Sequence, residues 1–155
     1  MWWRRIRYGL ALVALCGIAT CPTAKRSCTA RNQAQEADDL LDVIGDGVAK
    51  VVATTGKVPP TPAGPTPQPS CCEQGGACSA DAQTWSAPGW RALGFSIDGT
   101  YRYTYEYLPD PSGTSAVARA VGDLDCNGDR SLYELRLVVK GMTVERAWSR
   151  RAPYE

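Results

Sequence analysis

Apolar and polar positions divide the chain into four stretches with different periods. The first, Leu10 to Thr20, is an unbroken apolar run behind the basic start Met1-Trp-Trp-Arg-Arg-Ile-Arg7. Gly17-Ile18-Ala19 supplies a small-x-small cleavage signal ahead of Thr20, and the run falls short of the ~20 residues that a membrane-spanning helix needs. Residues 1–20 are therefore expected to act as an export segment, or as a membrane attachment if they are retained. A polar stretch from Pro22 to Thr29 follows. From Ala30 to Thr54 the apolar residues Ala34, Ala37, Leu40, Leu41, Ile44, Val48, Val51 and Val52 recur at gaps of three and four, which predicts an amphipathic helix within residues 21–56. Thr29 or Asn32 is the expected cap, Glu36, Asp38 and Asp39 suit the positive end, and Gly56 suits the C-terminal stop. Gly45 and Gly47 each weaken a helix by about 1 kcal/mol relative to alanine, so a kink or break is expected near them.

Period and composition then change abruptly. Residues 57–69 include Val58-Pro-Pro-Thr-Pro-Ala-Gly-Pro-Thr-Pro-Gln-Pro69, which reads as an extended linker without helix or sheet. Residues 70–155 form the expected head. Pro88 to Leu93 predicts a short helix with proline in its first turn. Tyr101, Tyr103, Tyr105 and Tyr107 alternate with Arg102, Thr104 and Glu106, as on a strand with one apolar face. Further strands are expected at Ser115–Val121, Leu132–Val139 and Met142–Trp148, the last two joined by a tight turn at Lys140-Gly141. One long helix followed by antiparallel strands makes the fold class α+β.

Composition narrows the chemistry. The chain has 155 residues, no histidine, seven cysteines and a formal net charge of +1. Without histidine, Ser-His-Asp and Cys-His catalysis and the commonest zinc ligand are excluded. The balanced charge argues against a nucleic-acid partner. No GxSxG elbow, phosphate loop or dinucleotide fingerprint occurs, so no enzyme is expected. Seven cysteines without a CxxC pair point to cross-links in an oxidising compartment: periplasm, cell surface or outside the cell. Cleavage after Ala19 leaves an even set, Cys21, Cys28, Cys71, Cys72, Cys78 and Cys126. Ile18-Ala19-Thr20-Cys21 also has the outline of a lipidation signal. Neighbours Cys71 and Cys72 are expected to take different partners, either Cys71–Cys78 with Cys72–Cys126 or Cys71–Cys126 with Cys72–Cys78. Cys21 and Cys28 are candidates to pair with each other.

The sharpest motif runs from Asp123 to Glu134. Asp123, Asp125, Asn127, Asp129, Ser131 and Glu134 put oxygens at positions 1, 3, 5, 7, 9 and 12 of a calcium loop, with Gly128 at position 6. Alternate residues of a tight loop can converge six or more oxygens on one cation. The same residues also suit a polar turn between strands, since Asn-Gly favours hairpins. Either no cofactor is expected, or calcium as a stabiliser of the head. The tyrosine stripe with Trp2, Trp3, Trp85, Trp90 and Trp148 reads first as core and cross-strand pairs, and second as an aromatic glycan-binding surface.

The order apolar N-terminus, amphipathic helix, loop and cysteine-bearing antiparallel sheet resembles bacterial type IV pilins and pilin-like proteins. Trp90-Arg-Ala-Leu-Gly-Phe95, the strand Tyr101–Tyr107 and Arg119-Ala-Val-Gly-Asp-Leu-Asp-Cys126 carry the resemblance. It implies a structural subunit whose partners are other pilin-like subunits or surface proteins. That family's processing signal is not matched: Gly9 precedes Leu10, residue 14 is alanine, and Glu36 is the first acid. The alternative is a secreted or lipid-anchored binding module for a glycan or protein.

Overall fold

The computed structural model describes residues 21–153, with side chains of the first helix from residue 31 onward. One helix, α1 (Cys21–Thr55), precedes a five-stranded sheet. The strands are β1 (Ala63–Thr66), β2 (Thr104–Pro109), β3 (Ser115–Gly122), β4 (Ser131–Lys140) and β5 (Thr143–Arg151), and a short helix α2 (Pro88–Leu93) lies between β1 and β2. Their order in space is their order in sequence, and every neighbouring pair is antiparallel. The fold is α+β, tied by two disulfides.

The apolar period of α1 packs where it was expected to. Ala34, Ala37, Leu41, Ile44, Val48 and Val52 are buried against the sheet. The sheet meets them with Tyr105 and Tyr107 from β2, Ala116, Ala118 and Ala120 from β3, and Tyr133, Leu135 and Leu137 from β4. The helix packs across β3, β4 and β5. Gly56 takes φ 68° and its N–H bonds to Val52 O, closing the helix as a left-handed stop.

Three local expectations are corrected. The helix begins before Ala30, so Thr29 and Asn32 are interior residues and not caps. It runs without interruption through Gly45 and Gly47, because both face packed neighbours instead of marking a bend. The proline-rich stretch is not a free linker: Val58, Pro59, Ala63 and Pro67 are buried, and Ala63–Thr66 pairs with β2 as an edge strand. Prolines are tolerated there because the outer side of an edge strand needs no N–H. Gly64 (φ 81°) makes the approach possible, since a Cβ would lie 2.3 Å from Tyr105 O.

The tyrosine stripe lies on one face, all four rings buried, although β2 itself starts at Thr104 and Tyr101 forms an isolated bridge to Cys78. Trp85, Trp90, Phe95, Tyr101 and Tyr105 form an aromatic cluster of edge-on and tilted rings with centroids 5.1–6.3 Å apart. α2 holds Trp90 there, and its indole N–H donates to Thr66 Oγ1 of β1 at 3.0 Å. Pro88 starts α2 and Gly94 ends it at φ 62°, as the sequence predicts.

Candidate functional site

The chain ends of β1, β2 and β3 meet at one end of the sheet, and both disulfides are there. Cys71–Cys78 closes a short loop, and Cys72–Cys126 ties that loop to the turn between β3 and β4. This settles the two pairings left open by the spacing. Between the tied segments lies a cleft of about 860 Å³, whose walls include Pro67, Cys72, Arg102, Val121, Asp123 and Arg130. Apolar walls and two guanidinium groups make it amphipathic.

The aspartate turn forms one side of the cleft, and its oxygens are already engaged. Asp123 Oδ1 accepts from Asn127 N at 3.0 Å, and Oδ2 accepts from Gly128 N at 2.9 Å. Asn127 Nδ2 donates to Asp125 Oδ2, and Asn127 Oδ1 accepts from Asp129 N at 2.7 Å. Ser131 is buried and its hydroxyl donates to Gly122 O. Glu134 sits on β4, where its carboxylate takes the Arg119 Nε–H at 2.6 Å from the facing residue of β3. So the structure gathers Asp123, Asp125, Asn127 and Asp129 into one turn, and holds Ser131 and Glu134 apart on the sheet. Among the described residues no group of three or more acids or cysteines converges as a cation site would require. The flanking elements are strands, so the loop is not an EF-hand. Replacing Asp123 by alanine should cost about 2 kcal/mol, because a half-buried carboxylate satisfies two backbone donors. Urea unfolding measures this; an unchanged midpoint with an unchanged slope counts against it.

The aromatic surface expected as a glycan platform is also relocated. Among the described residues Trp148 alone of the aromatics is not buried, and Arg150 stacks over it with Cζ 4.8 Å from the ring centre. The stripe is core. Burial drives the Tyr105 hydroxyl well above the usual phenol range, and raises Tyr103 and Tyr107 too.

Sequence reasoning missed Glu36, which it took only as a favourable acid near a helix start; in α1, which begins at Cys21, it lies mid-helix. Its Oε1 accepts from Arg102 N at 2.8 Å, Tyr103 N at 3.3 Å and the Tyr105 hydroxyl at 3.1 Å, so it clamps the helix to the strand entering β2. Burial raises its pKa above 4.5, partly countered by those donors and by the Arg102 charge. A raised folded-state pKa favours the protonated, folded form. Its contribution to stability is full below 4.5 and is lost as pH rises through the folded value. Glu36→Gln should therefore remove a fall in stability on going from acid towards neutral pH. Chemical unfolding of both proteins across that range tests this, and parallel profiles would refute it.

Cys21 and Cys28 lie in the first turns of α1, and their pairing falls outside the described side chains, as does the whole 1–20 segment. Among the described residues no helix is long and apolar enough to cross a membrane. No protein-family model, curated protein or solved structure matches the chain.

Proposed function

We infer that the chain is an exported, non-catalytic structural protein, a pilin-like subunit or derivative of a type IV pilus or pseudopilus. The observation that carries this reading is α1 over the meander. At 1.5 Å per residue, its 35 residues make a rod of about 52 Å, with buried positions from Ala34 to Val52 lying along one face of an antiparallel sheet. The two disulfides support an oxidising location. A helix used this way leaves its other side for neighbouring subunits. Its exposed side carries Asp39, Val43 and Lys50.

The cleft beside the aspartate turn favours a second reading, a secreted or lipid-anchored module that binds a glycan or protein. Intact mass and N-terminal sequencing of the mature protein separate the two. An N-methylated residue near position 10 supports the subunit; a start near Thr20 or a diacyl group on Cys21 supports the binding module. Thiol labelling of the native protein adds a stricter test. Free Cys71, Cys72, Cys78 and Cys126 in the folded chain would overturn both.

A further inference from the structure

The two edges of the sheet are unlike. β1 is short, contains Pro65, and pairs irregularly with β2. β5 carries no proline and keeps unbroken register with β4 from Lys140↔Thr143 to Leu132↔Arg151. Among the described residues nothing pairs with its outer side. Which groups face outward follows from the ladder. Val139 N bonds to Thr114 O on the β3 side, so alternate residues of β4, Leu132 to Lys140, bond to β5. Their partners are Thr143, Glu145, Ala147, Ser149 and Arg151. The backbone N–H and C=O groups of Val144, Arg146, Trp148 and Arg150 therefore point away from the sheet.

Charged side chains usually guard such an edge. Of the four charged residues on β5, Arg146 and Arg150 are drawn aside, while Glu145 and Arg151 stay exposed. Arg146 reaches Asp42 at 3.0 Å and Asp46 at 2.5 Å, and Arg150 reaches Asp38 at 2.9 Å, all on α1.

We propose that β5 is a self-pairing edge, through which two copies of the chain join antiparallel about a twofold axis at Ala147 into one continuous sheet. Register decides the fit. Centred on Ala147, the hydrogen-bonded pairs are Arg146 with Trp148 and Val144 with Arg150, and no like charges oppose each other. Shifted by one pair, either Arg146 meets its own copy or Arg146 meets Arg150, and like charges directly opposite are unfavourable. The axis itself passes between Ala147 residues in a non-hydrogen-bonded pair, where Cα atoms approach to about 4.5 Å and a small side chain fits best. β1 cannot accept β5, so the assembly closes at two copies. This holds whether or not the chain is a pilus subunit.

Sedimentation of the full, disulfide-bonded chain over a concentration series should show a monomer–dimer equilibrium. Ala147 is exposed, so substitution there leaves the fold intact, which circular dichroism checks. Ala147→Lys and Ala147→Glu should each weaken self-association by about tenfold or more, and mixing the two should restore a dimer. Under oxidant, Ala147→Cys should cross-link to its own copy at that position, identified by peptide mass, and Ser149→Cys should not. A chain monomeric at every concentration, a dimer indifferent to Ala147→Lys, or cross-linking favoured at position 149 would each overturn the proposal.

Discussion

Replacing Cys72 and Cys126 together by alanine should lower the unfolding free energy by about 4 kcal/mol, the largest loss expected from any substitution considered for this protein. The bond joins residues 54 apart in sequence. Cutting it returns to the unfolded chain the entropy of a long closed loop, and the cost grows with the logarithm of that loop. The same argument gives about 2.5 kcal/mol for Cys71–Cys78, whose separation is 7. The two bonds also differ in what surrounds them. Cys71 and Cys78 are buried in the aromatic end of the core, whereas Cys126 is exposed at φ 57° in the aspartate turn. The long bond is thus the sole covalent tie between that turn and the segment before α2, and its loss should also open the cleft. Urea unfolding of the double variant measures the first effect, and hydrogen exchange at Asn127 and Gly128 measures the second. A variant as stable as its parent would show that noncovalent contacts alone hold this end.

The parts of this fold legible in the sequence are those set by one-dimensional periods. Ala34 to Val52 at helical spacing and Tyr101 to Tyr107 at strand spacing report their own buried faces, whatever they pack against. The same holds for Ser115 to Val121 and Leu132 to Val139. What stayed illegible depends on a neighbour distant in sequence. Prolines between Val58 and Pro69 predict a stretch without helix or sheet, but the bare edge of β2 makes room for Ala63–Thr66 as an outer strand. The spacing of Cys71, Cys72, Cys78 and Cys126 allowed two pairings, and the choice is made by where β3 and β4 bring the turn. The oxygen spacing from Asp123 to Glu134 fits a calcium loop as a string. In space, strand register hands Glu134 to Arg119, and the Asp123 carboxylate is spent on backbone N–H groups. Glu36 gave no signal of its own, because its partners lie 66 to 69 residues away.

Gly47 is the clearest case of a residue whose local meaning reverses in context, and it carries the second large prediction. In an isolated helix, alanine in place of glycine stabilises by about 1 kcal/mol. In α1 the Cβ of an alanine at position 47 would stand 2.2 Å from the carbonyl oxygen of Leu93 and 3.1 Å from its carbonyl carbon. These are backbone atoms at the end of α2, which is itself fixed by Gly94 N to Arg91 O and Phe95 N to Trp90 O. No rotamer change relieves the clash, so α1 and α2 must separate. That movement would loosen Trp90 from the aromatic cluster and from Thr66. Gly47→Ala should therefore destabilise the protein by about 3 kcal/mol, at the upper end of ordinary overpacking. Gly45→Ala is the internal control. Its nearest neighbours are Leu135 Cδ2 at 3.0 Å and Arg146 Cζ at 3.2 Å, both far along side chains that can shift. Helix propensity then offsets the crowding, and stability should stay within about 1 kcal/mol of the parent. Thermal and urea unfolding of the two variants side by side decide the matter. Equal effects at positions 45 and 47 would mean that helix propensity, and not the contact with α2, sets the requirement for glycine.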